Sequence, residues 1–368
     1  MLCFVAKKTK KYFLQAEDAF TLIEILITIA ILAVVIGVGF LNLANYKNKN
    51  TFDLDAQNVL EAIRNGENKA LLGAGGTGWG IKFTSDVNDG YYEIFSGSSY
   101  ATSSVVTRET LTGSTLFANP AAGFSKTITF APLTGVPSQA ESVVLKRSGG
   151  TDRYLISLST LGSLDKVYEQ GLVGYWPLDE GLGTTAYDAS GGGNNGSFVG
   201  SPSWVAGRIG GAVNCGNTTS DYINVGSVPL GSIWTITAWF QYPLSTTGSS
   251  WNTLTRGSSY DHQIIVQRSS GQLGMYDNKN GTGFNGSGYY MTSLSNGWHF
   301  IATIGNAGVE QFYIDGSYVG QSVKQSTSDV KSICNYWGGG QNWGIVDDVR
   351  IYNRALSATE IQQMYQRY

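Results

Sequence analysis

Glu24 is the fifth residue of an apolar run that begins Phe20-Thr21-Leu22-Ile23-Glu24 and continues to Phe40 with Thr28, Gly37 and Gly39 as its other interruptions. An ionised carboxylate in hydrocarbon is costly and calls for a cationic partner. A second carboxylate, Asp347 in "GIVDDVRIY", shares a strand face with Ile345, Val349 and Ile351. There it wants either hydrogen-bond donors or a metal. Of three cysteines, Cys215 and Cys334 form the candidate disulfide and Cys3 lies ahead of the apolar run; two buried free thiols are the alternative. Trp251, Tyr260, Tyr289, Tyr290, Trp337 and Trp343 lie in or beside Gly/Ser/Asn-rich loops. Such aromatic faces stack on sugar rings while neighbouring amides bond the hydroxyls. Trp239 and Trp298 fall in alternating strands and read as core, and His262 and His299 lack an evident Ser or Cys partner.

The elements that must carry these residues follow from patterning. At 368 residues the chain has material for two folded domains and an anchor. Charged residues make up only 14% and the net charge is −3, which argues against a nucleic-acid partner. From Phe20 to Phe40 the apolar run is long enough for the roughly 30 Å of a bilayer core. Lys7, Lys8, Lys10 and Lys11 precede it, so the short N-terminal side is expected to stay cytoplasmic and everything after Phe40 to lie outside. Past Phe40 the pattern turns amphipathic, with Leu43, Tyr46, Phe52, Leu60 and Ile63, until "LLGAGGTG" breaks it near Gly73. One long helix over 20–73 is predicted.

Residues 74–166 alternate in short strands ("WGIKFTS", "YYEIFSG", "KTITFAPL", "SVVLKRSG", "RYLISLST"), so a small antiparallel sheet is expected, followed by a linker over 167–171. Residues 172–368 change texture, with eight of the nine tryptophans and long Gly/Asn/Ser loops. The strands "WTITAWFQY", "HQIIVQR", "WHFIATIG", "EQFYIDGSYVGQ" and "GIVDDVRIY" predict a β-sandwich. Asp315-Gly316 signals a tight hairpin, and "SATE" at 357–360 a capping box for a short helix bearing Ile361, Met364 and Tyr365.

The N-terminal segment resembles the type III signal of type IV pilin-like proteins. That resemblance implies a leader over 1–19, cut between Ala19 and Phe20 by prepilin peptidase at the inner membrane, and a methylated new N-terminus. It also implies that the amine of Phe20 on one subunit is neutralised by Glu24 of a neighbour, which fixes the stagger between pilin-like subunits. Ala19 stands where Gly is usual, and Glu17 and Asp18 precede it, departures expected to slow processing. "ITFAPLTGVPS" and "VVLKRSGGTDRYLISLSTLGSL" resemble the last strands of H-type minor pseudopilins of type II secretion. The fold implied for 20–166 is α+β.

The segments "GLVGYWPLDEG", "YDASGGGNNG", "WTITAWF", "GWHFIATI", "FYIDGSYVG" and "DDVRIYNRALSATEIQQMY" resemble the laminin-G-like, concanavalin A-like jelly roll. Its relatives include lectins, carbohydrate-binding modules and glycan hydrolases. Relatives often carry a structural calcium, which implies Asp347 as a ligand with Asp179, Glu180 or Asp188 as companions. The laminarinase-type hydrolases of this fold place acids as Glu-x-Asp-x-x-Glu on one strand; that spacing is absent, and Glu310 and Asp315 do not reproduce it. No enzyme activity is expected. The expectation is a minor pilin or pseudopilin of a pilus or secretion filament, displaying a lectin-like domain for adhesion to an extracellular glycan. A structural or protein-binding module without sugar binding is the alternative, and a divergent glycan-active enzyme the third reading.

Overall fold

Helix α1, Leu22–Leu71, is the first element of the computed structural model, which describes residues 22–87, 89–100, 105–148, 152–335 and 339–368. The side chains at 24 and 33–45 lie outside the described ones, as do Ala19 and Phe20. The expected membrane span over 20–40 therefore falls partly outside them; among the described residues no helix is long and apolar enough to cross a membrane. The chain divides into two compact units, 1–50 and 51–368.

Within the second unit, the C-terminal part of α1 buries Phe52, Ala56, Val59, Leu60 and Ile63 against Ile81, Phe83, Ile128, Val143 and Ile156. These helix positions recur every three or four residues, the stripe an amphipathic helix presents to a sheet. Gly66 lies where an added Cβ would come within 3.3 Å of Ile81 and Phe130, so its lack of a side chain lets helix and sheet approach. Gly73, at φ 61°, follows the helix end in the left-handed region that glycine adopts without a Cβ penalty.

Where the sequence predicts one small sheet, two four-stranded antiparallel sheets pack against this stripe. The first runs Val105–Thr110, Gly90–Ser96, Trp79–Ser85, Ser125–Phe130; the second runs Thr115–Asn119, Glu141–Arg147, Arg153–Leu158, Leu164–Tyr168. Residues 167–171, read as a linker, hold the end of the last strand and Glu169, which accepts a 2.9 Å hydrogen bond from the Tyr352 hydroxyl and pairs with the buried Arg350 guanidinium. Arg350 also pairs with Asp348 at 2.8 Å, and the charge needed by that buried cation is what ties the segment down.

The C-terminal sandwich has two eight-strand sheets. One runs Thr185–Ala186, Gly196–Val199, Tyr222–Val228, Val330–Ile333, Trp251–Arg256, His262–Gln267, Gln272–Asp277, Gly283–Tyr290. The other runs Ser203–Ala206, Gly211–Asn214, Ile345–Tyr352, Trp234–Tyr242, Gly297–Asn306, Val309–Ile314, Ser317–Ser322, with Leu172–Trp176 also paired to Ile345–Tyr352. Trp176, Trp234, Phe240, Leu254, Ile264, Met275 and Ile351 belong to the core between them. The hairpin at Asp315-Gly316 has positive φ at both residues (49° and 76°), the twist that two-residue loops need. A further apolar cluster joins Ala118, Val144 and Leu155 of the preceding sheets to Tyr175, Trp239, Phe300 and Ile361 of the sandwich.

Helix α2, Ala358–Gln366, starts at a capping box: Glu360 N–H donates to Ser357 Oγ at 3.2 Å, and Ser357 N–H to Glu360 Oε2 at 2.8 Å. The Arg354 guanidinium, 2.7 Å from Glu360, together with the Ser357 donors holds the Glu360 carboxyl down at about 2. A depressed carboxyl contributes stability above its unfolded value and loses it as pH falls through the folded one. Glu360→Gln is thus expected to fray α2 at neutral pH and to flatten the acid loss between about pH 4.5 and 2, read from amide exchange of the Ile361 and Met364 N–H groups.

Candidate functional site

Trp251, Arg256, His262, Tyr276, Asn278 and Gln341 line a cavity of about 190 Å³ on the outer face of the first sandwich sheet, together with Ile265. Strict alternation would send Arg256 and His262 inward with Leu254 and Ile264. The ladder between these strands instead shifts register between Thr253 and Thr255, and the next ladder shifts between His262 and Ile265. Such bulges re-aim side chains. Here they bring Arg256 and His262 to the face that carries Trp251, Thr253 and Ile265.

The aromatic wall is built from Trp251, whose ring meets Tyr276 edge-on at 5.5 Å and Phe284 at 5.2 Å. Arg256 is 4% exposed, its guanidinium 4.6 Å from the Tyr260 ring centre and its Nε donating to the Tyr260 carbonyl. Thr253 Oγ1 donates to Gln341 Oε1 at 2.7 Å and lies 2.9 Å from His262 Nδ1. With the single hydroxyl proton used on Gln341, His262 Nδ1 is the donor and Nε2 the acceptor. Burial, then the nearby Arg256 charge, pull His262 down to about 3, so the imidazole is neutral at physiological pH.

Of the expected aromatic residues, Trp251 lines this groove and Tyr260, 51% exposed, places its ring beside the Arg256 guanidinium. Tyr290, 50% exposed, and Tyr289, half-buried against the core, sit at the end of the edge strand Gly283–Tyr290. Trp343 is corrected: it is fully buried, its ring edge-on to Phe240 at 5.5 Å and its backbone N–H donating to the Cys334 carbonyl, and it cannot stack on a ligand. Trp337 lies outside the described residues. Arg256, His262, Tyr276, Asn278 and Gln341 were missed by the sequence reading; the alternation Leu273, Met275 against Tyr276 in "GQLGMYD" was the available signal for one of them. His299 is structural, bonded to Asp315 at 2.7 Å and to the Ser295 carbonyl at 2.9 Å.

Cys215 and Cys334 are joined by a disulfide with Cα atoms 6.1 Å apart. The expected calcium ligands are engaged by protein donors. Asp188 accepts from the N–H groups of Tyr175, Ser190 and Asn194. Asp179 accepts from Gly211 N–H and from Lys126 Nζ, each at 2.7 Å. Asp347 Oδ2 accepts from the N–H groups of Arg208 and Ile209, while burial and the neighbouring Asp348 push its carboxyl well up. Asp347 Oδ1 and Glu180 Oε2 are left without a hydrogen-bond partner. Two oxygens fall short of the six to eight that calcium takes, so most of such a shell would come from backbone and water. Among the described residues no three His, Cys, Asp or Glu side chains converge to hold a metal.

Glu180 also borders a cavity of about 40 Å³ shared with Asn119, Phe124, Lys126 and Asp179, and burial pushes its carboxyl up to about 7. Between about pH 4.5 and 7 the unfolded chain releases a proton that the folded one keeps, so this group makes stability fall as pH rises through that window. Glu180→Gln is expected to remove that fall, seen as a flatter dependence of the melting temperature on pH than in the parent chain.

Residues 217–362 match the concanavalin A-like lectin/glucanases superfamily, and residues 15–40 match the prokaryotic N-terminal methylation motif. The chain joins a methylation motif to a concanavalin A-like domain. Among solved structures, the chain is similar to domain 4 of AbnA, an extracellular arabinanase of Geobacillus stearothermophilus solved with arabinotriose, at 16% identity and TM-score 0.42 over 53% of this chain and 98% of that one. It is also similar to the binding domain of Paraclostridial Mosquitocidal Protein 1 (19%, TM-score 0.38) and to that of botulinum neurotoxin serotype D (14%, TM-score 0.37), each over 53% of this chain. The chain spans about half of those two toxin domains, 52% and 50%. No curated protein matches the chain.

Proposed function

We propose that the protein is a pilin-like subunit, anchored in the inner membrane by its N-terminal segment, whose concanavalin A-like domain binds an extracellular glycan. The methylation motif over 15–40 supports processing by prepilin peptidase and assembly with other pilin-like subunits, for which we take the Ala19–Phe20 bond as the cut and Glu24 as the assembly residue. A sandwich of almost 200 residues would crowd a repeated shaft, which favours a minor subunit of a pilus or pseudopilus over a major one. The observation that carries the glycan reading is the groove itself: an aromatic wall of Trp251 and Tyr276 facing the amides of Asn278 and Gln341. Aromatic faces desolvate against the apolar face of a sugar while amides fix its hydroxyls. Among the described residues the groove is lined by an arginine, a histidine, amides and aromatic rings and by no carboxylate, which favours binding over acid–base hydrolysis in this reading.

The test is a glycan array probed with the full chain in mild detergent, with calcium and again with a chelator. Trp251→Ala is expected to weaken a specific signal at least about tenfold, in line with the loss of one aromatic stacking platform. A folded chain that binds no glycan in either condition defeats the reading and leaves a structural or protein-binding module.

A further inference from the structure

The sandwich has a second opening, built from both of its sheets. Tyr242 ends a strand of one sheet and Val266 lies near the end of a strand in the other, and with Leu244 and Met291 they line a crevice of about 280 Å³. Val266 and Met291 belong to the core and Tyr242 and Leu244 pack against it, so the floor is apolar. Trp251 and Asn252 are consecutive in one strand, where alternation sends the first to the groove and the second to the crevice. The two sites therefore lie on opposite faces of that sheet.

The polar groups of the crevice wall are already engaged. A guanidinium carries five N–H donors. Arg268 makes five hydrogen bonds with them, to Asn252 Oδ1 and to the carbonyls of Ser245, Thr246, Thr247 and Gly248. Asn252 Nδ2 donates to the carbonyls of Ser245 and Asn342. Among the described residues no carboxylate lines the crevice. Spare hydrogen-bonding capacity lies with the exposed Thr246 and Thr292 and the half-buried Tyr242, whose hydroxyls bond to no described residue.

We infer that the crevice seats a deoxyhexose unit of the glycan, its methyl group against Leu244, Val266 and Met291 and its ring hydroxyls at Tyr242, Thr246 and Thr292. This rests on the glycan-binding reading above and deepens it by naming a sugar class and a second subsite. The hydroxymethyl group of an ordinary hexose would bring a hydroxyl to a floor where it loses water and gains no partner, whereas a methyl group gains by the same burial. An acetamido sugar meets the same obstacle, since its N–H and carbonyl would both need partners there. An acidic sugar would give up the hydration of its carboxylate with every Arg268 donor already taken.

The experiment titrates the full chain in mild detergent with methyl glycosides in pairs that differ only in that one hydroxyl: fucose beside L-galactose, rhamnose beside L-mannose, quinovose beside glucose. The deoxy member of one pair is expected to bind at least about fivefold tighter than its partner, the range for one hydroxyl left without a hydrogen bond. Leu244→Ser, which puts a hydroxyl on the floor, is expected to remove most of that preference, and Tyr242→Phe to weaken both members alike. The pairs test the parent chain directly, so the outcome does not depend on how well a variant folds. Equal binding within every pair, or tighter binding of the hydroxymethyl members, overturns the crevice as a deoxyhexose site and leaves the glycan reading standing. A methyl preference that Trp251→Ala abolishes and Leu244→Ser keeps also overturns it, because the methyl group then sits in the groove. Binding to no saccharide, here and on the glycan array, overturns both readings.

Discussion

Replacing Lys126 with Met is expected to lower the unfolding free energy by about 3–5 kcal/mol, the cost of breaking a buried ion pair from one side. Lys126 Nζ lies 2.7 Å from Asp179 and 3.1 Å from Glu141, and all three side chains are under a tenth exposed. Burial alone would lower the lysine, yet Asp179 and Glu141 outweigh it and hold the ammonium charged. Burial also pushes Glu141 up while Lys126 pulls it back. Removing the ammonium therefore strands carboxyl groups that only a shift in protonation can relieve. Asp179 would still accept from Gly211 N–H and from Asn119 Nδ2, so it keeps its place but not its counter-charge. A triple variant, Lys126→Met with Glu141→Gln and Asp179→Asn, is expected to recover most of the loss, since replacing a whole buried charge group is often close to neutral. Denaturant unfolding followed by tryptophan fluorescence reads both values; a single variant as stable as the parent would show that the triad contributes nothing. Because Lys126 and Glu141 belong to the sheets before the sandwich and Asp179 to the sandwich, the same variants report how firmly the two are joined.

How much of this was legible in the sequence depended on the range of the interaction. Local rules read well: Asp315-Gly316 makes its turn through positive φ, Ser357 and Glu360 cap α2, and Trp239 alternates into a buried strand face. Long-range pairings were not readable. Lys126 and Asp179 are 53 positions apart and Arg350 and Glu169 lie 181 apart, and nothing in their neighbours names the partner. The groove was half legible. Trp251 and Tyr260 stood out as aromatics beside polar loops, whereas Arg256 and His262 reach the groove through register shifts that a two-residue period predicts against. Trp343 shows the opposite failure. Its Gly and Asn neighbours look like an exposed loop, but its backbone N–H is tied to the Cys334 carbonyl and its indole packs edge-on against Phe240 in the core.

That same loop makes reduction of the disulfide the other large expected effect. Cys215 and Cys334 are 119 positions apart, and both are fully buried. Closing so long a loop restricts the unfolded chain strongly, so loss of the bond is expected to cost about 2–5 kcal/mol and roughly 5–15 °C in melting temperature. The bond also stands behind the groove. Cys334 N–H donates to the Leu254 carbonyl in the strand that carries Trp251 and Arg256, and Trp343 N–H returns to the Cys334 carbonyl. Between these two anchors, Gln341 donates its N–H to Asn335 Oδ1 and accepts from Thr253, which fixes its amide at the groove. Cys215→Ala with Cys334→Ala should therefore weaken ligand binding several-fold in chain that is still folded, in addition to the lower melting temperature, because Gln341 loses a rigid support. Calorimetry of the parent with and without reductant, paired with ligand titration below the melting range, separates the two effects. A parent whose melting temperature ignores reductant would remove the disulfide from the account of stability, and unchanged affinity in the double variant would show that the loop is held by its hydrogen bonds alone.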